Sequence, residues 1–444
     1  MDSDRTLNAV IDWVFGEDLA GAPAVEERAR LLFLDTLGCM IAGLAKPGPR
    51  SLAASLGDLD GGAVRLPGAD VALSVGAAAR VAGMAACWDE ACEGLARAHG
   101  RPGLHAFAAA LPLALARGAT LGETLSALVA GYEVAGRLGE VLRIPKGMHV
   151  DGTWGSFGAT TAAARLLGLS PMETVAAIQG AACNLPWSLY LPITHGADIR
   201  NAYVGDAAAR GIVQALAVRA GITTPPGAVE TFDRLALGGA PENKNLAPVG
   251  EWLLLQEYLK PFAAVRHVHF GAQAAINWRR AQGAQGSGGT GDIRSLDLSI
   301  YGEAITYCGN RAPRAPIQAQ FSLSFGLAWT LVHGDLGPDA YEEAGLNDPE
   351  VRRLEALVSI TEDKAMTAAE RRGALLTVGT AAGRHESASD AVPGERDLPL
   401  SEAEVEAKFL RYAAPHIGKD GARDLAAVLL HGSLDTDVAA ILCC

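Results

Sequence analysis

The chain has 444 residues, 49% hydrophobic and 20% charged. This length exceeds one ordinary core, and this composition excludes a disordered polymer. A formal charge of −13 speaks against nucleic acid as a partner, because such binders carry a clustered basic face. A small anionic substrate needs only a few local cations in a cleft.

Alanine and glycine dominate the apolar share, with 52 glycines, so closely packed helices are expected. EERARLLFLDTLGCMIAGLA (26–45) places Ala29, Leu32, Phe33, Thr36, Leu37, Met40 and Ile41 on one 3.6-residue face, which predicts a buried helix. Thr120 with Glu123 and Ser170 with Glu173 match the Ser/Thr-x-x-Glu capping box, each before a long apolar-periodic run. Gly168 is placed to stop the helix before Ser170. The pattern repeats through 206–220, so the first 260 or so residues read as helical throughout. AQGAQGSGGTGD (281–292) has the composition of a flexible hinge.

Beyond it, SLDLSI (295–300) alternates Leu296, Leu298 and Ile300 with polar partners, as a half-buried strand does. Residues 322–332 and 349–358 read as helices, and 375–389 as strand, turn, strand. Ser401 and Glu404 cap a last amphipathic helix. These elements predict a mainly α protein. A large all-α domain is built from both chain ends (1–265 and 402–444), and a smaller α+β lid (266–401) is inserted between them.

Seven scattered cysteines without a Cys-x-x-Cys pair (Cys39, Cys87, Cys92, Cys183, Cys308, Cys443 and Cys444) give the pattern of a reduced, cytoplasmic protein. MDSDRTLNAV shows no signal-peptide pattern, and no run reaches membrane-spanning length.

Chemistry-bearing residues concentrate in four stretches. CWDEACEGLARAHGRPGLH (87–105) carries Cys87, Cys92, His99 and His105 at separations of five, seven and six, which fit no zinc template. The cysteines read as structural, leaving Asp89 and His99 as an acid/base pair or a solvated helix end. His149 lies in a glycine-rich lead-in to a helix, able to hold a carboxylate or to serve only as a turn residue. Arg200 precedes a small-residue helix, as a carboxylate fork or a surface charge. Lys260, Arg266, His267 and His269 crowd ten positions, an anion site or a basic loop.

The order and spacing of DTLGCMIAG (35–43), GYEVAGRLG (131–139), GTWGSFGATTAAARLLGLS (152–170), YLKPFAAVRHVH (258–269), QAQFSLSFGLAW (318–329) and LSEAEVEAKF (400–409) resemble the MmgE/PrpD family across nearly the whole chain. That family includes 2-methylcitrate dehydratase, cis-aconitate decarboxylase and iminodisuccinate epimerase. The resemblance implies a homodimer with an interdomain cleft that binds a small polycarboxylate without metal or organic cofactor. It places Asp89, His99, His149, Lys260 and His269 in the pocket, with Arg200 where a lysine is frequent; together with the cation cluster above, the expected catalytic residues are Asp89, His99, His149 and Lys260, with Arg200, Arg266 and His269 binding substrate. The expected activity is a dehydratase or decarboxylase, with an epimerase or a non-catalytic carboxylate-binding protein as alternatives. The usual His-x-x-Asp-x-Asp-Asp is here Ala86-Cys-Trp-Asp-Glu-Ala-Cys92, and a frequent lid tyrosine is Phe325. A stock 2-methylcitrate substrate is therefore not implied.

Overall fold

The computed structural model describes residues 3–239, 247–285 and 289–442. The apolar run near the N-terminus folds as the helix Pro23–Leu44, with proline at its start, where a missing N–H costs nothing. It is buried on nearly every face from Ala29 to Leu44, so it is the central post of the helical part rather than an amphipathic surface helix. All three predicted capping boxes close reciprocally, before helices Leu121–Val141, Pro171–Ala182 and Glu402–Ile417. Gly168 takes a φ of 74° just past the helix Gly155–Leu166, a left-handed conformation that glycine adopts without strain.

Helix Val75–Cys87 crosses helix Ala202–Arg219 at two glycines. A Cβ added to Gly83 would lie 2.5 Å from the Gly205 nitrogen, and one added to Gly205 would lie 2.1 Å from the Arg80 carbonyl oxygen. Only backbones without side chains meet this closely.

The two chain ends meet. Helix Glu402–Ile417 packs along Pro23–Leu44, and Lys408 donates to Asp35 Oδ1 at 2.6 Å and to the Ala91 carbonyl at 2.7 Å. The protein is thus mainly α, with one four-stranded sheet in a small unit and a short separate strand, Gly61–Val64, in the helical part. In that unit β1 (Ile293–Ile300), β2 (Val358–Glu362), β3 (Ala374–Thr380) and β4 (Gly383–Ser389) form a sheet in the order β2-β1-β3-β4. The β1/β2 pair is parallel, with Leu296 opposite Val358, and the other two pairs are antiparallel. Leu296, Leu298 and Ile300 are buried as their alternation predicts, and helix Arg266–Gln285 covers β3 and β4.

Three expectations need correction. The predicted hinge begins inside the helix Arg266–Gln285, which runs through its first five residues; residues 286–288 lie outside the described residues, as do Cys443 and Cys444. Strand β2 was not expected: the predicted helix 349–358 ends at Ala356, and its last position, Val358, opens the strand, five residues being too few for a period-2 pattern to stand out. The first 260 residues are not helical throughout: 88–101, 142–154 and 247–265 are largely irregular, and these segments carry the site. No single helix among the described residues is long and apolar enough to cross a membrane.

Candidate active site

A cavity of about 190 Å³ lies where the irregular segments of the helical part meet the α+β part. The first side supplies Glu90, His99, Arg101, Arg143, His149, Asp151, Arg200 and Lys260; the second supplies Arg266, His267, Glu303, Tyr307 and Arg372. Arg101, Arg143, Arg200, Lys260, Arg266 and Arg372 give six cations against the three carboxylates of Glu90, Asp151 and Glu303. A protein of charge −13 thus keeps a locally positive cavity, which concentrates anions.

Its floor is a buried ionic network. Glu90 Oε2 meets Arg101 at 3.2 Å and Arg200 at 2.6 Å, while Glu90 Oε1 meets Lys260 Nζ at 2.7 Å. Asp151 pairs with the same two arginines, at 3.2 Å to Arg200. Burial would raise the Glu90 carboxyl, but Arg101, Arg200 and Lys260 outweigh it and hold the group well below the usual carboxylate range. Arg101 and Arg200 also donate to Cys87 Sγ at 3.1 and 3.0 Å. That thiol ends the helix Val75–Cys87 and, pushed up by burial despite both arginines, stays protonated as a structural acceptor.

Two residues of this wall have left-handed backbones, Glu90 at φ 52° and His99 at φ 54°. Such conformations cost a non-glycine residue about 1–3 kcal/mol and concentrate at functional sites. The segment between them is pinned by antiparallel bridges from Gly94 to Tyr258 and from Leu95 to Gly100.

The histidines differ in setting. His149 is buried, and burial pushes it down to about 3 despite the charge of Asp151. Its Nδ1 accepts the Asp151 backbone N–H at 3.0 Å and its Nε2 accepts from Arg200 Nε at 3.4 Å, so both ring nitrogens face donors. His99 is 46% exposed, with Nδ1 3.6 Å from Glu303 Oε1 across the cleft. His267 stands at 2.7 Å from the Tyr301 hydroxyl and stacks on Tyr307; burial, then Arg372, pushes it to about 3.

Of the seven residues the sequence nominated, His99, His149, Lys260, Arg200 and Arg266 line this cavity, and Asp89 and His269 do not. Asp89 is buried on the far side of the strained turn; burial raises it to about 6, and its nearest charges are Lys46 and Glu342. Its neighbour Glu90 faces the cavity instead. His269 lies two positions after His267 on one helix, about 200° around the axis, and its Nε2 donates to the Ala264 carbonyl at 3.0 Å. Arg266, at the cavity edge, forks onto Glu395 and stacks on Tyr258. Sequence reading passed over Arg101 and Asp151. The signal available for each was a charged residue beside a nominated histidine in a glycine-containing turn.

Glu93 lies just behind the floor. Its Oε1 accepts the Leu104 N–H at 2.9 Å and its buried Oε2 has no hydrogen-bond partner among the described residues; burial raises it to about 8. A carboxyl raised in the folded state holds its proton there while the unfolded chain has lost it. It therefore subtracts stability as pH rises from about 4.5 to 8. Glu93→Gln, which mimics the protonated acid, is expected to leave stability near pH 4.5 unchanged and to raise it by a few kcal/mol at pH 8. Denaturant melts at both values check this, and equal gains at both would contradict it.

Fold and site together define a largely helical protein with a small α+β part and a cationic, histidine-lined cleft between them. The MmgE/PrpD N-terminal domain matches residues 10–237 and the MmgE/PrpD C-terminal domain matches residues 262–431, so the chain belongs to the MmgE/PrpD family. A cis-aconitate decarboxylase-like protein of Aspergillus oryzae, oryM, is 24% identical over 342 residues, covering 72% of this chain and 70% of its own. Human cis-aconitate decarboxylase is 25% identical over 368 residues, covering 74% of this chain and 71% of its own.

Proposed function

We propose that this protein is a lyase that removes water or carbon dioxide from a small di- or tricarboxylate by acid/base chemistry, without metal or organic cofactor. The observation that carries the reading is the convergence of neutral His149 and accessible His99 on one cavity whose floor holds Lys260, Arg200 and Arg101. Dehydration and decarboxylation next to a carboxylate both develop carbanion-like or enolate-like charge. Fixed cations in a site shielded from water stabilise that charge. Membership of a family with decarboxylase relatives supports the same class.

In this reading His99 donates its Nδ1 proton toward Glu303 and turns Nε2 to the substrate as base. Glu303 takes the orienting part expected of Asp89. His149, buried and neutral, is the second histidine placed to handle a proton. His99→Ala is expected to remain folded and to lose about 10²–10⁴-fold in kcat; full turnover would remove His99 from the chemistry. The homodimer is part of the proposal, and light scattering on the purified chain is expected to return twice 45.9 kDa.

Mass spectrometry of the enzyme incubated in deuterated water with citrate-like, aconitate-like and substituted succinate acids tests the whole reading. Loss of water or carbon dioxide is the expected result. Deuterium uptake at constant heavy-atom composition would replace the lyase with an isomerase, and silence across the panel would leave a carboxylate-binding protein.

A further inference from the structure

The cations of the cavity floor already hold carboxylates, and those carboxylates belong to the protein. Glu90 touches Arg101, Arg200 and Lys260 at once, and Lys260 Nζ also donates to the Glu90 carbonyl at 2.9 Å. Its side chain is 4% exposed, and its turn places Glu90 rather than Asp89 inward. Asp151 neutralises the two arginines from the other side. His149 and His105, pushed down by burial, add no charge. The floor therefore has three cations and two anions, which leaves one uncompensated positive charge.

The rim is similar. Arg266 is matched by Glu395 and Arg372 by Glu303, while Arg143 has no ion pair among the described residues. The cavity thus offers two uncompensated positive charges, one deep and one at the rim.

We infer that Glu90 is a resident carboxylate that sets the charge of the substrate, admitting a dicarboxylate and rejecting a tricarboxylate. The inference rests on the carboxylate-lyase reading and narrows it. A third carboxylate would be desolvated beside Glu90 with no cation left to meet it, and like charges in a buried site reject a ligand that is otherwise well shaped.

Titration calorimetry with succinate and with propane-1,2,3-tricarboxylate, which differ by one carboxymethyl arm, tests it on the purified full chain. The wild type is expected to bind succinate at least tenfold more tightly. Glu90→Gln, which removes the charge and keeps the shape, is expected to tighten the tricarboxylate at least tenfold and so erase or invert the preference. Glu90→Asp, which keeps the charge, is expected to retain it. A wild type that prefers the tricarboxylate overturns the inference, and so does a ratio that Glu90→Gln leaves unmoved. If Glu90→Gln does not fold, the wild-type ratio and the aspartate variant decide. Binding of neither acid by folded wild type overturns the carboxylate reading itself, whereas binding of both with an unmoved ratio overturns only the part given to Glu90.

Discussion

Lys260→Met is expected to lower kcat/KM by about two orders of magnitude or more while the protein stays folded. Methionine fills the space of the lysine stem, and Glu90 keeps Arg101 and Arg200 as partners, so no buried carboxylate is stranded. What disappears is the primary ammonium of the cavity floor, a compact charge that Glu90 holds in place. Removing a single preorganised donor of this kind costs about 3–4 kcal/mol of transition-state stabilisation. Steady-state kinetics beside a circular dichroism melt would show the loss, and a folded variant with undiminished kcat/KM would take Lys260 out of the mechanism.

Arg101→Met is expected to act on the fold itself. Arg101 is 4% exposed and pairs with both Glu90 and Asp151, while donating to Cys87. Its removal leaves the Asp151 carboxylate with Arg200 as its remaining arginine and Cys87 short of a donor. Breaking a buried pair from one side costs about 3–5 kcal/mol. Arg101→Lys should recover little of this, because a point charge cannot replace a planar fork that serves two carboxylates and a thiol. Guanidinium unfolding of the three proteins measures the effect; a loss below about 1 kcal/mol for Arg101→Met would show the network to be dispensable.

Much of the architecture was legible because its signals are local. A capping box needs four residues, and Thr120, Ser170 and Ser401 each formed one. Burial alternation in β1 needs six. The site was legible only where a segment's position settles the matter. Lys260 and Arg200 face the cavity, while the choice between Asp89 and Glu90 depends on a φ of 52° that no residue pattern announces. The choice between His267 and His269 depends on the phase of the helix Arg266–Gln285, which a local residue pattern does not set. Arg101 and Asp151 were passed over for a related reason: each is explained by the other, fifty positions away in the chain.

The glycine crossing of helices Val75–Cys87 and Ala202–Arg219 ties this chemistry to a place that touches none of it. Gly83 lies one turn before Cys87, and Gly205 lies five residues after Arg200. The crossing is a fulcrum, and the Cys87–Arg200 contact at 3.0 Å stands a short lever arm away. A single methyl group at Gly205 would have to push the helices apart against the Arg80 carbonyl, and the parting would strain the contact between Cys87 and Arg200. Loss of catalysis at this position would thus be a fault of alignment, in a protein whose reacting groups are all still present.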